Sequence, residues 1–397
     1  MSLMRFRPRT ALRRWTSERG VRALTAIAWA FGGVLGYLDD MTEIRGTASR
    51  DVSMDGDKAS ITVAVVANPQ SDKGSGARIS RKVLEYIRGK GLKHHFAVRD
   101  LTGDSFEESL SNARTHREDY DYLIVVGGDG MIALGVNAVQ LSGKPLGIVA
   151  IGSGNDFARG LHLPVNRVHT ALEGIVAAIA ERSSMCVDLG RITLVDDAGN
   201  EKESRYYAGM LSCGIDASVN LRANRSHLPN GKVRYFVALL VELMHMKRYG
   251  YHMRAVLEDG TVEERNMLSM LLTIANSRHI GGGIEVSPYS KLSDGMLDLV
   301  WMNHVPNVKE CAVAIRNAYN GKLLLTSDVF GWKRVRSIEI SGSGVGARPP
   351  ELMADGEGVG SLPVRVEVES NALRVLAPPS AVQDALRRDK DSQVNVG

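Results

Sequence analysis

The stretch VVGGDGMIALG, residues 125–135, decides how this chain is read. A β-branched run ends in Gly127, Gly128, Asp129 and Gly130, and a helical pattern begins at Met131. Strand, glycine turn and helix in that order open a βαβ unit, whose strands read as continuous Val/Ile runs because both faces are covered. Bare backbone lets a ligand come close, and N–H groups at a helix start suit phosphate. An aspartate among them suits a metal bridging phosphates, and in a tight turn it also suits helix capping, so both readings of Asp129 stand.

The same pattern repeats on either side. ITVAVVA (61–67) is a buried-type strand, followed by the turn NPQSDKGSG (68–76) and a helix face of Ile79, Val83, Leu84 and Ile87. HHFAVR, residues 105–117 and YLIVV read as strand, helix and strand. LGIVAI (146–151) then leads through GSGND (152–156) to a helix over 171–182. Strands alternating with helices predict an α/β lobe with a parallel sheet over 61–183. Beyond it, VDLGRITLV, RYYAGMLSCGI, HMRAVLED, MLSMLLTIAN, MLDLVWM, VRSIEISG, VRVEVES and ALRVLAPP are strands joined mostly by turns, with helices over 217–225 and 233–246. They predict a mainly antiparallel β-sandwich lobe over 184–379, and a charged tail follows over 380–397.

Size and composition agree with two lobes: 397 residues, 44% hydrophobic and 24% charged. The three cysteines, Cys186, Cys213 and Cys311, are too dispersed for a disulfide framework or a zinc cluster. Residues 1–40 differ from the rest. Arg5, Arg7, Arg9, Arg13, Arg14, Arg19 and Arg22 face only Glu18, and the apolar run ALTAIAWAFGGVLGYL (23–38) follows. That run is shorter than the roughly 20 residues that comfortably span a bilayer, so signal peptide, anchor, interfacial helix and packed helix all remain open. Residues 41–60 read as a linker. A basic arm also suits nucleic acid, but no aromatic-interleaved basic module follows it, and nucleic acid is not an expected partner.

Three glycine loops fall at successive strand ends, where open parallel sheets bind ligands. They are neither a GxxxxGK[ST] phosphate loop nor a GxGxxG dinucleotide fingerprint. Their order resembles the diacylglycerol kinase catalytic family, which includes bacterial lipid kinases and sphingosine kinases and is related to NAD kinases. The pattern NPxSGxG, GGDGT, GTxNDFAR, GxDA, GGGxxxxPxAxxxDGxLD and DGE is followed here by Asn68-Pro69, residues 127–131, 152–159, 214–217 and 281–298, and Asp355 to Glu357.

The resemblance implies ATP and Mg²⁺ as cofactors and a lipid alcohol such as diacylglycerol as acceptor; because ATP is intracellular and residues 1–40 are basic and apolar, a cytoplasmic protein at the inner face of the cell membrane is expected, and a homodimer is admitted. It assigns Asn68, Gly127, Gly128, Asp129, Gly130, Met131, Ser153, Asn155 and Asp156 to the nucleotide. Asn155 and Asp156 serve equally well as helix caps. By the same resemblance Asp355 is the general base with Glu357 beside it, although a DGE hairpin turn gives the same letters. Asp294 with the carbonyls of Lys291 and Met296 is the implied Mg²⁺ site bracing the second lobe, and Asp216 is placed at the cleft between lobes. Asp188 and the scattered histidines read as structural or solvated.

The chain departs from the family at Met131, Ala133 and Leu134, where threonine, asparagine and glutamate are usual, and NPQSDKGSG is two residues longer. Losing one hydrogen bond to a charged group costs roughly 1.5–3 kcal/mol. A lipid kinase is therefore the first reading. A nucleotide- or lipid-binding regulator of the same fold is the second.

Overall fold

The structure, a computed structural model, describes residues 61–68, 75–94, 96–196, 198–226, 228, 231–245, 247–324 and 328–383. The basic segment 1–40, the linker 41–60, most of the NPQSDKGSG turn and the tail beyond 383 lie outside the described residues, and so do the expectations placed on them. Among the described residues no helix is long and apolar enough to cross a membrane.

In the N-terminal lobe β1 (Ile61–Ala67), β2 (Phe96–Asp100), β3 (Tyr122–Gly127) and β4 (Leu146–Ala150) pair in the order β4-β3-β1-β2. All three pairings are parallel. Val63 to Val66 and Leu123 to Val126 are almost wholly buried, as continuous β-branched runs require. Helices α1 (Ser75–His94), α2 (Phe106–Thr115), α3 (Asp129–Val139), α4 (Asp156–Gly160) and α5 (Val168–Ala180) complete it. Ser105 caps α2 by accepting from the Glu108 N–H.

The second lobe carries β5 (Ser184–Val195), β6 (Glu201–Tyr207), β7 (Met210–Ser212), α6 (Ile215–Asn224), α7 (Gly231–His245), β8 (Tyr249–Leu257), β9 (Val262–Ser269) and β10 (Leu272–Ala275). After these come β11 (His279–Ile280), β12 (Ile284–Glu285), β13 (Leu297–Met302), α8 (Val308–Asn317), β14 (Phe330–Gly342), β15 (Leu352–Ala354), β16 (Glu357–Gly360) and β17 (Val364–Leu376). Apart from the pairing of β17 with β4, its ladders are antiparallel.

Two features differ from the sequence reading. VRVEVES and ALRVL form one strand, β17, because the register shifts between Glu369 and Leu373 and Asn371 takes φ 53° within the bulge. The lobes also share one hydrogen-bonded sheet: β17 runs antiparallel to β5 and β14 and meets β4 in parallel at Val375–Leu146. Two further ties cross between lobes on Asn137 of α3, whose amide donates to the Tyr206 carbonyl at 2.9 Å and accepts from the Tyr206 N–H at 3.1 Å.

Candidate active site

The bare backbone of the GGDG turn is explained first by packing. Strands β3 and β4 end side by side, with the Ile151 N–H donating to the Gly127 carbonyl at 2.9 Å. Their loops then touch through main chain: a Cβ on Gly152 would lie 2.5 Å from the Gly128 Cα. No side chain fits between them.

Asp129 seals this contact. It opens α3, yet its carboxylate caps the neighbouring helix, accepting from the Asn155 and Asp156 N–H groups at 2.8 Å each. Asn155, at φ 55°, is wholly buried and closes the GSGN turn through both ends of its amide, accepting from the Gly152 N–H and donating to the Gly152 carbonyl. Its side chain therefore shapes the loop from beneath, whereas Ser153 stands exposed at the tip. Asn68 continues β1 towards the same strand ends, its N–H donating to the Val126 carbonyl at 3.3 Å.

Asp156 joins the lobes. Its Oδ2 accepts from the Gly282 N–H at 2.9 Å, while its Oδ1 is buried with no hydrogen-bond partner among the described residues. Burial, and then the neighbouring Asp129 charge, push the Asp156 carboxyl up to about 7. Burial raises Asp129 as well, against the pull of its N–H donors. Two carboxylates that resist being charged together, one with an idle oxygen, suit a divalent cation shared with phosphate oxygens. They provide two protein carboxylates and no third, since no group of three or more His, Cys, Asp or Glu among the described residues is placed to hold a metal ion.

The DGE segment is a hairpin turn and a site at once. Asp355 (φ 48°) and Gly356 (φ 89°) form the two-residue link between β15 and β16, both left-handed, as in Asp-Gly hairpins. The turn delivers the Asp355 carboxylate to three consecutive N–H groups: Ala208 at 2.8 Å, Gly209 at 2.8 Å and Met210 at 3.0 Å. Burial pushes its carboxyl up to about 6, the three donors oppose this, and the Asp129 charge adds to it. The hairpin lies opposite the GGDG loop through Glu357, whose Oε1 would lie 3.3 Å from a Cβ on Gly130.

Three expectations are corrected. Met131 turns its side chain into the core beneath the loop, 5% exposed, and Leu134 is wholly buried. Neither presents its side chain to the cleft. Asp216 does not face the cleft either, being buried with its carboxylate accepting from the Gly214 N–H and the Thr273 hydroxyl. At the implied brace, Asp294 accepts from the Met296 N–H and pairs with the Arg334 guanidinium, so a cation already sits on its carboxylate. Asp188 is structural, its two oxygens taken by the Asn371 and Gly295 N–H groups.

Since Met131 packs as core, Met131→Thr is expected to lower stability by about 2–4 kcal/mol through a cavity, which thermal melts of the variant check.

Sequence reasoning does not find the partners of these groups: the 208–210 backbone, the Gly282 N–H and Arg334. The run Gly281 to Gly283 was the one available signal, since three successive glycines with positive φ let the main chain reach Asp156.

Residues 62–191 match the diacylglycerol kinase catalytic domain, and residues 209–377 match the YegS C-terminal NAD kinase beta sandwich-like domain. A diacylglycerol kinase of Mycobacterium tuberculosis is 29% identical over 316 residues, covering 80% of this chain and 95% of the relative. One from Staphylococcus carnosus is 28% identical over 305 residues, covering 75% of this chain and 89% of the relative. A crystal structure of a diacylglycerol kinase from Bacillus anthracis shares the fold with TM-score 0.56 at 17% identity, covering 82% of this chain and all of that one.

Proposed function

The chain belongs to the diacylglycerol kinase catalytic family, and from that premise we propose that it transfers the γ-phosphate of ATP to the hydroxyl of a lipid alcohol of the diacylglycerol type. The observation that carries this reading is the placement of Asp355, held by three main-chain donors opposite the glycine loops of the first lobe. As the acceptor oxygen attacks phosphorus in line, its proton passes to Asp355, a new O–P bond forms and ADP leaves. A carboxyl raised to about 6 is a better proton acceptor than a free aspartate and is still mostly ionised at pH 7.

The nucleotide phosphates are assigned to the main chain of residues 127–130 and 152–154, where the first turn of α3 has N–H groups without intrahelical acceptors. Asp129 and Asp156 would hold Mg²⁺, which would neutralise charge on the phosphates. Ser153 supplies an exposed hydroxyl at the same edge, and Glu357 stands beside the base. Asn68 and Asn155 serve by shaping the loops. The burial of Met131 and Leu134 supports turnover over a purely regulatory role, because their departures from the family pattern remove no side chain from the cleft. A lipid acceptor calls for work at a membrane surface, and the basic, apolar segment 1–40 is the part of the chain suited to hold it at the inner face.

Asp355 acts only when ionised, so kcat/KM is expected to fall about tenfold per pH unit below about 6 and to level off above it. A rate profile rising instead through pH 8 would assign the base elsewhere. Incubation with ATP, Mg²⁺ and diacylglycerol dispersed in detergent is expected to give one ADP per phosphorylated lipid; ADP released with no lipid phosphate would contradict the transfer.

A further inference from the structure

The turn before β13 gathers three carboxylates, Asp188, Asp294 and Asp298, and among the described residues one guanidinium, that of Arg334, serves it. Asp188 and Asp298 are buried, and their hydrogen bonds come from within the protein: Asn371 and Gly295 N–H groups on Asp188, the Trp332 indole on Asp298 at 2.8 Å. Asp294 has its Oδ1 on the Met296 N–H at 3.1 Å and its Oδ2 on Arg334 Nη2. Arg334 is fixed from both sides. Its strand places it directly across from Asp298 in the β13–β14 ladder, and its Nη1 reaches Glu258 Oε1 at 2.8 Å. Both members of the Asp294–Arg334 pair are mostly buried, with side chains 21% and 25% exposed.

These residues do not fit the divalent cation that the family resemblance implies here. Mg²⁺ asks for near-octahedral oxygen coordination at about 2.0–2.1 Å and gives up its water reluctantly. The single carboxylate offered to it, that of Asp294, is already paired with the full positive charge of the Arg334 guanidinium, which would repel the ion across a partly buried site. We propose that Arg334 is the built-in cation of this turn, taking the place of a structural metal, so that the second lobe folds and holds its shape without divalent ions. The inference concerns stability and is independent of the transfer reaction.

Thermal unfolding of the full chain, without nucleotide, tests it. With no nucleotide phosphates to complete the glycine-loop site, the melting temperature is expected to be the same in excess EDTA and in Mg²⁺, because an ion that does not bind the native state adds no stability. The same pair of melts is run on Asp156→Asn, so that metal at the glycine loops cannot supply a shift. Arg334→Met, which keeps the length and removes the charge, is expected to melt lower in EDTA and to be partly restored by Mg²⁺, since Asp294 is then released to an incoming cation. A wild-type melting temperature that falls in EDTA and recovers in Mg²⁺, with the Asp156→Asn background behaving alike, would overturn the proposal. An Arg334→Met chain that melts with the wild type, or one that Mg²⁺ fails to rescue, would reduce Arg334 to an ordinary ion pair and overturn it too. The wild-type and Asp156→Asn melts together decide the question even if Arg334→Met does not fold.

Discussion

Replacing Asp355 by asparagine is expected to lower kcat by about 10²–10⁴-fold while ATP affinity stays within a few-fold, because a positioned general base contributes on that scale. Asparagine keeps the size and the turn but cannot take a proton. A second variant reaches the same group from outside: Gly209→Ala would set a Cβ 2.6 Å from Asp355 Oδ1, against the carboxylate and the N–H groups that hold it. Turnover is expected to fall in Gly209→Ala as well, although every ionisable residue remains. Steady-state rates with melting curves for both variants check this. An Asp355→Asn enzyme with wild-type turnover would remove Asp355 from the chemistry.

The second large effect is expected at the seam between the glycine loops. Asp129→Ala strips two charge-assisted hydrogen bonds from the start of α4 and lets the 152–156 loop leave the GGDG turn. A cost of about 2–4 kcal/mol in stability is expected, together with a loss of about 10²-fold or more in kcat/KM, since small displacements of a phosphate cradle are expensive. Asp156→Asn separates the two roles. Its carboxyl is raised to about 7, above the ordinary aspartate range, so its charged form burdens the fold as pH rises through that value. Removing the charge is expected to leave stability at neutral pH equal or higher, while the Mg²⁺ concentration needed for half-maximal rate rises. Magnesium titrations and melts of both variants distinguish a loop fastener from a metal ligand; equal behaviour of the two would merge the roles.

Much of the first lobe is legible in the sequence because its signals are local. Parallel strands buried on both faces must read as runs such as Val63 to Ala67 and Ile124 to Val126, and glycine must follow where loops meet main chain to main chain. The helical spacing of Met131, Leu134 and Ala138 already places them on one face, and all three are core. What is not legible depends on partners far along the chain. Asp129 finds Asn155 and Asp156, Asp355 finds residues 208–210, and Asp294 finds Arg334 across a strand pair. Nothing within a helical turn or a strand period of these aspartates reveals which backbone or guanidinium will meet them. Strand β17 shows the limit of patterning as well. The polar break at Ser370-Asn371 reads as a loop, yet the chain continues through it as a bulge whose Asn371 N–H is held by Asp188.

The central claim is transfer of phosphate to a lipid by way of Asp355, and one measurement reaches it directly. The full chain is incubated with γ-labelled ATP, Mg²⁺ and a mixed lipid extract, beside Asp355→Asn, and the organic phase is counted. Label in a lipid product for the wild type, lost in Asp355→Asn although that variant still binds ATP, is the predicted result. Label confined to inorganic phosphate, or a lipid product formed equally by both chains, would contradict it.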